Sequence, residues 1–187
     1  VLARLLTPES YGIIATLSMI IVFAEIFTDA GFQKYIIQHE FKNDEEKDQS
    51  INVAFWSNLI LSVFLWIVIA LFSKPLMRLV GNPGYEIPLI VVCISIPLAA
   101  FSSIQMAVYK RDFEYKTLFK IRIIGILVPL FVTMPCAFIL RDYWALLIGT
   151  IASNLINAFV LTIYSKWKPR LYYSWSQFKE MFSFTFW

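Results

Sequence analysis

The sequence is poor in the residue types that build most enzyme sites and disulfide-rich domains. It has one histidine, two cysteines and six glycines among 187 residues, and 16% of its residues are charged. Cys93 and Cys136 stand inside apolar runs, which is typical of packing residues and excludes a disulfide framework. Glycine-rich phosphate loops, nucleophile motifs and clustered metal ligands are missing from the sequence. We therefore expect no cofactor, no metal site, no catalytic residues and no nucleic-acid partner.

Long apolar runs, and not charged residues, make up most of the sequence. Hydrophobic residues make up 59% of the chain, and the mean hydropathy is +0.67. In a soluble domain of this length, apolar residues would alternate with polar ones at the period of a helix or a strand. Here they come in uninterrupted stretches of membrane-spanning length. The sequence therefore predicts an all-α, polytopic transmembrane helix bundle.

The apolar runs predict five complete membrane spans between two partial ones. The complete spans are expected at residues 11–30, 51–72, 87–109, 121–140 and 143–164. Residues 1–6 resemble the last turns of an earlier helix, and an apolar run that starts at Met181 is still unfinished at Trp187. We expect residues 1–187 to form one partial transmembrane domain, cut from a longer protein within a helix at both ends.

Local signals mark where several of these helices begin and end. Thr7-Pro8-Glu9 has the N-cap, proline and acid typical of a helix start, and Gly31 suits a left-handed C-cap. Residues 32–41 mix aromatic and charged side chains, which indicates a short interfacial helix. Asn43 starts a capping-box pattern. His39 lies in this polar region, and we expect it to be solvated.

Prolines and glycines predict the remaining breaks. Residues 74–86 contain the densest turn signal in the chain, and we expect a loop there. Pro97 is expected to kink its helix near the middle. Residues 110–120 are predicted to be a basic connector, and Arg141-Asp142 a very tight hairpin.

Basic residues are unevenly distributed between alternate connectors. One side holds Lys34, Lys42, Lys47, Lys110, Arg111, Lys116, Lys120, Arg122, Lys166, Lys168, Arg170 and Lys179. The other side holds only Arg4, Lys74, Arg78 and Arg141. The positive-inside rule predicts that the first side is cytoplasmic, and that the chain before Val1 is cytoplasmic too.

The first complete span carries two acids on one face. Tyr11, Ser18 and Glu25 recur every seven residues, and Asp29 follows one turn later. An ionised carboxylate inside the bilayer is costly, so Glu25 should face the bundle interior or a wet cavity. Glu25 and Asp29 are candidates for ion or proton coupling or for the wall of a substrate path. Alternatively, Glu25 pairs with a neighbouring helix and Asp29 caps the helix at the interface.

Arg122 lies where its helix leaves the basic side. A guanidinium group matches phosphate oxygens in a bidentate manner, so Arg122 is a candidate for contact with an anionic head group. The alternative is an arginine that extends its side chain to the interface and does no more.

Three intramembrane asparagines are further candidates for a substrate path. Asn154 and Asn157 lie on a polar stripe of one helix, and Asn58 lies in another span. These amides line a hydrated cavity or hydrogen-bond across helices, and the sequence leaves both alternatives open. The small residues Ala145, Gly149 and Ser153 predict close helix packing beside that stripe.

An ordered set of short segments resembles a known family. The segments are residues 2–12 (LARLLTPESYG), 27–31 (FTDAG), 36–38 (IIQ), 75–76, 81–83 (GNP), 110–113 (KRDF), 143–146 (YWAL) and 167–171 (WKPRL). In this order they are similar to the N-terminal part of polysaccharide transporters. These are the lipid-linked oligosaccharide flippases of the multidrug/oligosaccharidyl-lipid/polysaccharide exporter superfamily, and O-antigen flippases belong to them.

This resemblance implies a fold and a function. The fold would be the N-terminal lobe of a two-lobed exporter with twelve to fourteen helices. The protein would move a polyprenyl-pyrophosphate-linked oligosaccharide from the inner to the outer leaflet of the bacterial cytoplasmic membrane by alternating access. Its partners would be this substrate, membrane lipids, H+ or Na+ as the coupling ion, and the polysaccharide assembly machinery.

Two other functions compete with the flippase. The nearer is a cation-coupled multidrug exporter of the same superfamily. The more remote is a membrane polysaccharide polymerase or sugar transferase. Such an enzyme would need a long extramembrane loop with clustered carboxylates, histidines or arginines, and the longest connector, residues 30–50, is short. We therefore expect a transporter and not an enzyme.

Overall fold

The computed structural model describes residues 7–29, 31–165 and 167–185, and all regular structure in these ranges is helical. In chain order the helices are α1 (Pro8–Asp29), α2 (Phe32–Gln38), α3 (Asp44–Leu71), α4 (Ser73–Leu79), α5 (Glu86–Val92), α6 (Ser95–Arg111), α7 (Tyr115–Leu140), α8 (Trp144–Tyr164) and α9 (Trp175–Thr185). The partial helix predicted at residues 1–6 lies outside the described residues.

Five stretches of the described chain are long and apolar enough to cross a membrane. They are Pro8–Thr28, Asp44–Leu71, Glu86–Arg111, Tyr115–Leu140 and Trp144–Tyr164. Many of their large apolar side chains are exposed, among them Met19, Phe64, Ile126 and Phe159. A soluble fold would bury such side chains, whereas lipid solvates them. The predicted all-α, polytopic membrane fold is confirmed.

The first two long helices begin with side-chain caps. Thr7 Oγ1 accepts a hydrogen bond from the backbone N–H of Ser10 at 3.3 Å. Asn43 Oδ1 accepts from the N–H of Glu46 at 2.7 Å, and Glu46 Oε2 accepts from the N–H of Lys42 at 2.8 Å. The polar residues 44–50 therefore continue into the apolar span as one helix. At 28 residues, α3 is about 42 Å long and projects beyond the hydrocarbon layer.

The third span is interrupted four residues before Pro97. The helix stops at Val92 and restarts at Ser95, because proline has no N–H to donate to the carbonyl group of Cys93. The N–H of Ile94 donates to the oxygen of Val91 at 3.3 Å instead of to Ile90. Trp66 in α3 supplies the missing donor, since its Nε1–H bonds Ile90 O at 3.1 Å. The kink predicted at Pro97 is thus an interruption of the helix, and Trp66 bonds the carbonyl group that the interruption leaves without a backbone donor.

Two predicted connectors are shorter than expected. The loop predicted over 74–86 was partly wrong, because α4 occupies Ser73–Leu79. Pro75 lies in its first turn, where a missing N–H costs little, and Met77 is fully buried. The connector predicted over 110–120 shrinks to residues 112–114, because α6 and α7 continue through their polar ends.

A tight hairpin joins α7 to α8, and α7 packs mainly against α8. Arg141 adopts the left-handed conformation that ends α7, with φ of 49°. Gly149 of α8 lies so close to Thr133 of α7 that an added Cβ would overlap Thr133 Oγ1. The small residues predicted to pack closely therefore do so at this interface.

The basic residues 34–47 and 110–122 meet at one end of the bundle, where α2 and α9 cover α3 and α6. Met181 of α9 and Phe32 and Ile36 of α2 are buried in a shared cluster. Arg111, at the end of α6, donates from Nη1 to Ile36 O at 2.7 Å and His39 O at 2.6 Å. These bonds satisfy carbonyl groups at the C-terminus of α2 and fix its position.

His39 is not solvated as predicted. Its ring stacks on Tyr35 at a centroid distance of 4.4 Å, and Nε2 lies 3.9 Å from Glu180 Oε1 on α9. The Tyr35 hydroxyl donates to the same carboxylate at 3.2 Å. Burial raises the pKa of Tyr35, and the charge of Glu180 adds to this effect. The sequence pattern missed this contact because α9 is far from His39 along the chain.

Candidate functional site

A small polar cavity lies between α1, α2, α3 and α6, near the basic end of the bundle. Its volume is about 160 Å³, and it is lined by Glu25, Thr28, Gln33, Asn58, Ile96, Ala99, Ala100 and Ser103. Five of these side chains carry polar atoms, although four of the five belong to apolar spans. The cavity therefore gathers polar groups from helices that are otherwise suited to hydrocarbon.

Asn58 is held firmly on one side of this cavity. It is 1% exposed, and its Nδ2 donates to Ser103 Oγ at 2.7 Å. Ser103 in turn donates to the carbonyl oxygen of Ala100 at 2.9 Å, within α6. This relay fixes the amide so that Oδ1 remains an acceptor. Asn58 Oδ1 is buried and accepts no hydrogen bond from another described residue.

Among the described residues that line the cavity, Glu25 alone brings an ionisable group. Its side chain is half-buried and forms no ion pair with any described residue. No lysine or arginine lines the cavity. A carboxylate in such surroundings favours a bound cation or a proton, because either removes the cost of an isolated charge. The oxygen atoms of Glu25, Asn58 and Ser103 are the hard ligands that a proton or an alkali cation prefers.

The other predicted site residues lie elsewhere. The side chain of Asp29 is outside the described atoms. Arg122 is exposed and lines a second cavity at the basic end, between α6 and α7. Asn157 faces the backbone of Gly125, where an added Cβ would come 2.8 Å from its Oδ1. Asn154 is half-buried on α8. Of the six candidates, the structure brings Glu25 and Asn58 together.

Three cavity residues were missed from the sequence. Gln33 belongs to the interfacial helix α2, and its position below α1 depends on the turn at Gly31, which has φ of 75°. Ser103 and Thr28 are small hydroxyl residues within apolar helices. Such residues usually bond their own backbone, as Thr28 Oγ1 does with Glu25 O at 3.0 Å. The one sequence signal was the position of Thr28 three residues after Glu25, on the same face of α1.

Metal binding through several strong ligands has no support in the described part of the chain. No group of three or more histidine, cysteine, aspartate or glutamate side chains is placed to hold a metal ion there.

Comparison with known proteins decides the family. A family model described as "Polysaccharide biosynthesis protein" matches residues 1–187, which is the whole chain. The chain belongs to this polysaccharide biosynthesis family. No solved structure matches the chain significantly.

Two curated relatives of this chain have names that state a role in polysaccharide biosynthesis. The succinoglycan biosynthesis transport protein ExoT of Rhizobium meliloti (strain 1021) is 22% identical over 186 residues, which cover 100% of this chain and 37% of ExoT. The lipopolysaccharide biosynthesis protein WzxC of Escherichia coli (strain K12) is 20% identical over 163 residues, which cover 87% of this chain and 32% of WzxC.

A third relative is an uncharacterised membrane protein in the cps region of Klebsiella pneumoniae. It is 29% identical over 73 residues, which cover 39% of this chain and 14% of that protein. The chain thus spans about a third of the length of ExoT and WzxC. The family membership and the multi-pass membrane location follow from the whole-chain match together with the five apolar spans.

Proposed function

We propose that this chain is part of a flippase that moves a polyprenyl-pyrophosphate-linked oligosaccharide from the inner to the outer leaflet for surface polysaccharide synthesis. The observation that carries the proposal is the intramembrane cavity around Glu25, found in a member of a polysaccharide biosynthesis family. An isolated carboxylate inside the membrane is costly, and a transporter can use it to couple movement to an ion.

The proposed orientation places the basic end in the cytoplasm of a bacterium. Residues 34–47 and 110–122 carry half of the 16 lysines and arginines, and Lys47 Nζ meets Asp112 Oδ1 at 2.9 Å across this end. The positive-inside rule then puts the Glu25 cavity close to the cytoplasmic leaflet, where the lipid-linked precursor would be collected. The membrane would be the cytoplasmic membrane.

The proposed mechanism is alternating access, with the charge state of Glu25 setting the preference between two conformations. A proton or Na+ at Glu25 would remove the cost of a charge buried between the bilayer centre and the interface, on the order of 2 kcal/mol. An energy of this size is enough to shift a two-state equilibrium by roughly 30-fold. Asn58 and Ser103 would help to hold the ion through their oxygen atoms. The polysaccharide assembly machinery would receive the flipped product.

The second candidate function is a cation-coupled drug exporter. The exposed apolar face of α1, which includes Met19, Phe23 and Ile26, would suit a lipophilic drug as well as a lipid tail. The names of ExoT and WzxC state roles in polysaccharide biosynthesis, which favours the flippase. A polymerase or sugar transferase is the weakest candidate, because the described connectors are short and no described group of acids is placed to hold a metal ion.

The test is complementation of a deletion strain with the full-length gene. The parent gene, Glu25→Gln and the control Glu40→Gln would be compared for surface polysaccharide and for lipid-linked precursor in the inner leaflet. Glu40 is exposed at the same end of the bundle and lies outside the cavity. We expect Glu25→Gln to insert normally but to fail in export, and Glu40→Gln to restore export.

Either part of the proposal can fail separately. Normal export by Glu25→Gln would remove the coupling role of this residue and leave the flippase. A deletion strain that keeps its polysaccharide but becomes sensitive to cationic drugs would replace the flippase with the exporter.

A further inference from the structure

A second cavity lies where α6 ends and α7 begins, at the basic end of the bundle. Its volume is about 510 Å³, which is within the usual range for small-molecule sites. Phe119 and Leu118 from α7 and Ile37 from α2 form an apolar wall. Lys110, Arg111 and Arg122 bring three cationic side chains to the same cavity. A hydrophobic wall beside clustered cations is suited to an amphiphile with an anionic group.

The three cations are not equivalent. Arg111 is already bound to two carbonyl oxygens of the α2 terminus and lies over the ring of Phe41 at 4.5 Å. The side chains of Lys110 and Arg122 form no hydrogen bond or ion pair with other described residues. Their charges are therefore available to a ligand. A guanidinium and an ammonium group on one cavity can share the oxygens of a phosphodiester.

The nearby acids do not cancel these charges. Asp112, in the turn between α6 and α7, is paired with Lys47 at 2.9 Å on the other side of this turn. Glu114 lines a different cavity, together with Lys47 and Lys168, and accepts from Thr117. The cavity between α6 and α7 itself is lined by no aspartate or glutamate. Its net charge is positive.

The backbone at the mouth of the cavity is strained at Phe113, where glycine would form the same turn without strain. Residues 109–114 form a Schellman ending of α6, because Glu114 N–H bonds Tyr109 O at 3.0 Å and Phe113 N–H bonds Lys110 O at 3.3 Å. Glycine is the usual residue at the left-handed position of this motif, yet here it is Phe113, with φ of 56°. Phe113 is 78% exposed, so packing within the described chain does not explain its presence.

Phe113, in the turn before α7, and Tyr115, its first residue, instead present two aromatic rings beside the basic first turns of α7. The rings meet edge to face at 6.1 Å, and both line the cavity. Aromatic rings of this kind are favoured at the boundary between head groups and acyl chains. Cations, aromatic rings and an apolar wall therefore line one cavity, and these are the groups that contact the parts of a membrane lipid.

We propose that this cavity binds an anionic glycerophospholipid of the surrounding bilayer. Lys110 and Arg122 bind its phosphate, Phe113 and Tyr115 border the head group, and Phe119 with Leu118 contacts an acyl chain. Basic cavities between membrane helices are known to recognise anionic head groups in this manner. The site concerns a lipid of the host membrane and does not depend on the proposed cargo.

The test uses the purified full-length protein, delipidated in detergent and titrated with phosphatidylglycerol while bound lipid is counted by native mass spectrometry. The double variant Lys110→Gln/Arg122→Gln should weaken phosphatidylglycerol binding by about tenfold or more, because two phosphate-binding cations are lost. The matched control is Lys116→Gln/Lys120→Gln, which removes two charges from the start of α7 outside the cavity. It should weaken binding less than threefold, and phosphatidylcholine should bind poorly to every form.

Phe113→Gly separates binding from folding. Glycine relieves the strained φ, so this variant should unfold at an equal or higher temperature while it binds phosphatidylglycerol more weakly. Equal losses in both double variants would overturn the site, as would a Phe113→Gly protein that binds as the parent does. Displacement of the lipid by soluble glycerol 3-phosphate would show a phosphate site and not a lipid site. Binding of polyprenyl pyrophosphate in place of phosphatidylglycerol would also refute the proposal.

Discussion

Replacement of Gly149 by alanine tests the closest helix contact in the described fold. The new Cβ would overlap Thr133 Oγ1 and would come 3.0 Å from Thr133 Cβ. Real Cβ atoms do not approach heavy atoms so closely, and the overlapping hydroxyl is joined to a branched carbon in a helix, where its rotamers are restricted. The α7 and α8 backbones therefore have to separate.

The size of the effect follows from two opposing terms. Alanine in place of a helical glycine gains up to about 1 kcal/mol from helix propensity. Overpacking of a close contact costs typically 1–3 kcal/mol. We expect Gly149→Ala to lose about 0–2 kcal/mol net relative to the parent and to be about 1–3 kcal/mol less stable than an alanine substitution that causes no overpacking.

The control is the same substitution at Gly12, in the apolar helix α1. An added Cβ at Gly12 meets no atom within 4 Å, so only the propensity gain remains. Thermal unfolding of the full-length protein in detergent should give a lower Tm for Gly149→Ala and an unchanged or higher Tm for Gly12→Ala. Both proteins would be measured at equal concentration and in the same detergent.

A second substitution identifies the atom responsible. Thr133→Ala removes Oγ1 and Cγ2, so Gly149→Ala/Thr133→Ala should recover at least half of the lost stability, with a coupling energy of about 1 kcal/mol. If Gly149→Ala is as stable as Gly12→Ala, α7 and α8 are not in contact at this distance, and the reasoning is refuted.

Two further predictions concern single hydrogen-bonding side chains. Arg111→Lys should lower the stability of the full-length protein by about 2 kcal/mol or more. An ammonium group cannot bond Ile36 O and His39 O and also contact the Phe41 ring. A Tm equal to that of the parent would argue against this role. Trp66→Phe keeps an aromatic ring but leaves Ile90 O without its donor, so we expect the free energy of unfolding to fall by about 1–3 kcal/mol, as measured by thermal unfolding. Trp56→Phe loses a hydrogen bond at an exposed site and should cost less.

The sequence predicted the parts of the fold that depend on local chemistry. The caps at Thr7 and Asn43 and the left-handed Gly31 were predicted correctly, because each depends on residues within one helical turn. The five spans follow from the length of the apolar runs, which the bilayer fixes. The predicted loop over 74–86 was partly wrong, because the turn signal outweighed the burial of Met77, which tertiary contacts decide.

The candidate site could be predicted only in part, for a similar reason. Glu25 was found because a lone carboxylate in an apolar run is costly wherever it lies. Asn58 was found among several asparagines that the sequence could not rank, since which amide faces Glu25 depends on the rotation of α3 against α1. Gln33 and His39 were missed or misjudged because their partners approach through the positions of α2 and α9.

The pairing of α7 with α8 has a consequence for biosynthesis. The chain emerges from the ribosome N-terminus first, so α7 reaches the membrane before the helix that covers most of its contact surface. The close approach at Gly149 and the short turn at Arg141 can form only after α8 has been synthesised. We expect α7 to remain mobile beside the insertion machinery until then, so that the two helices leave it for the lipid as a pair.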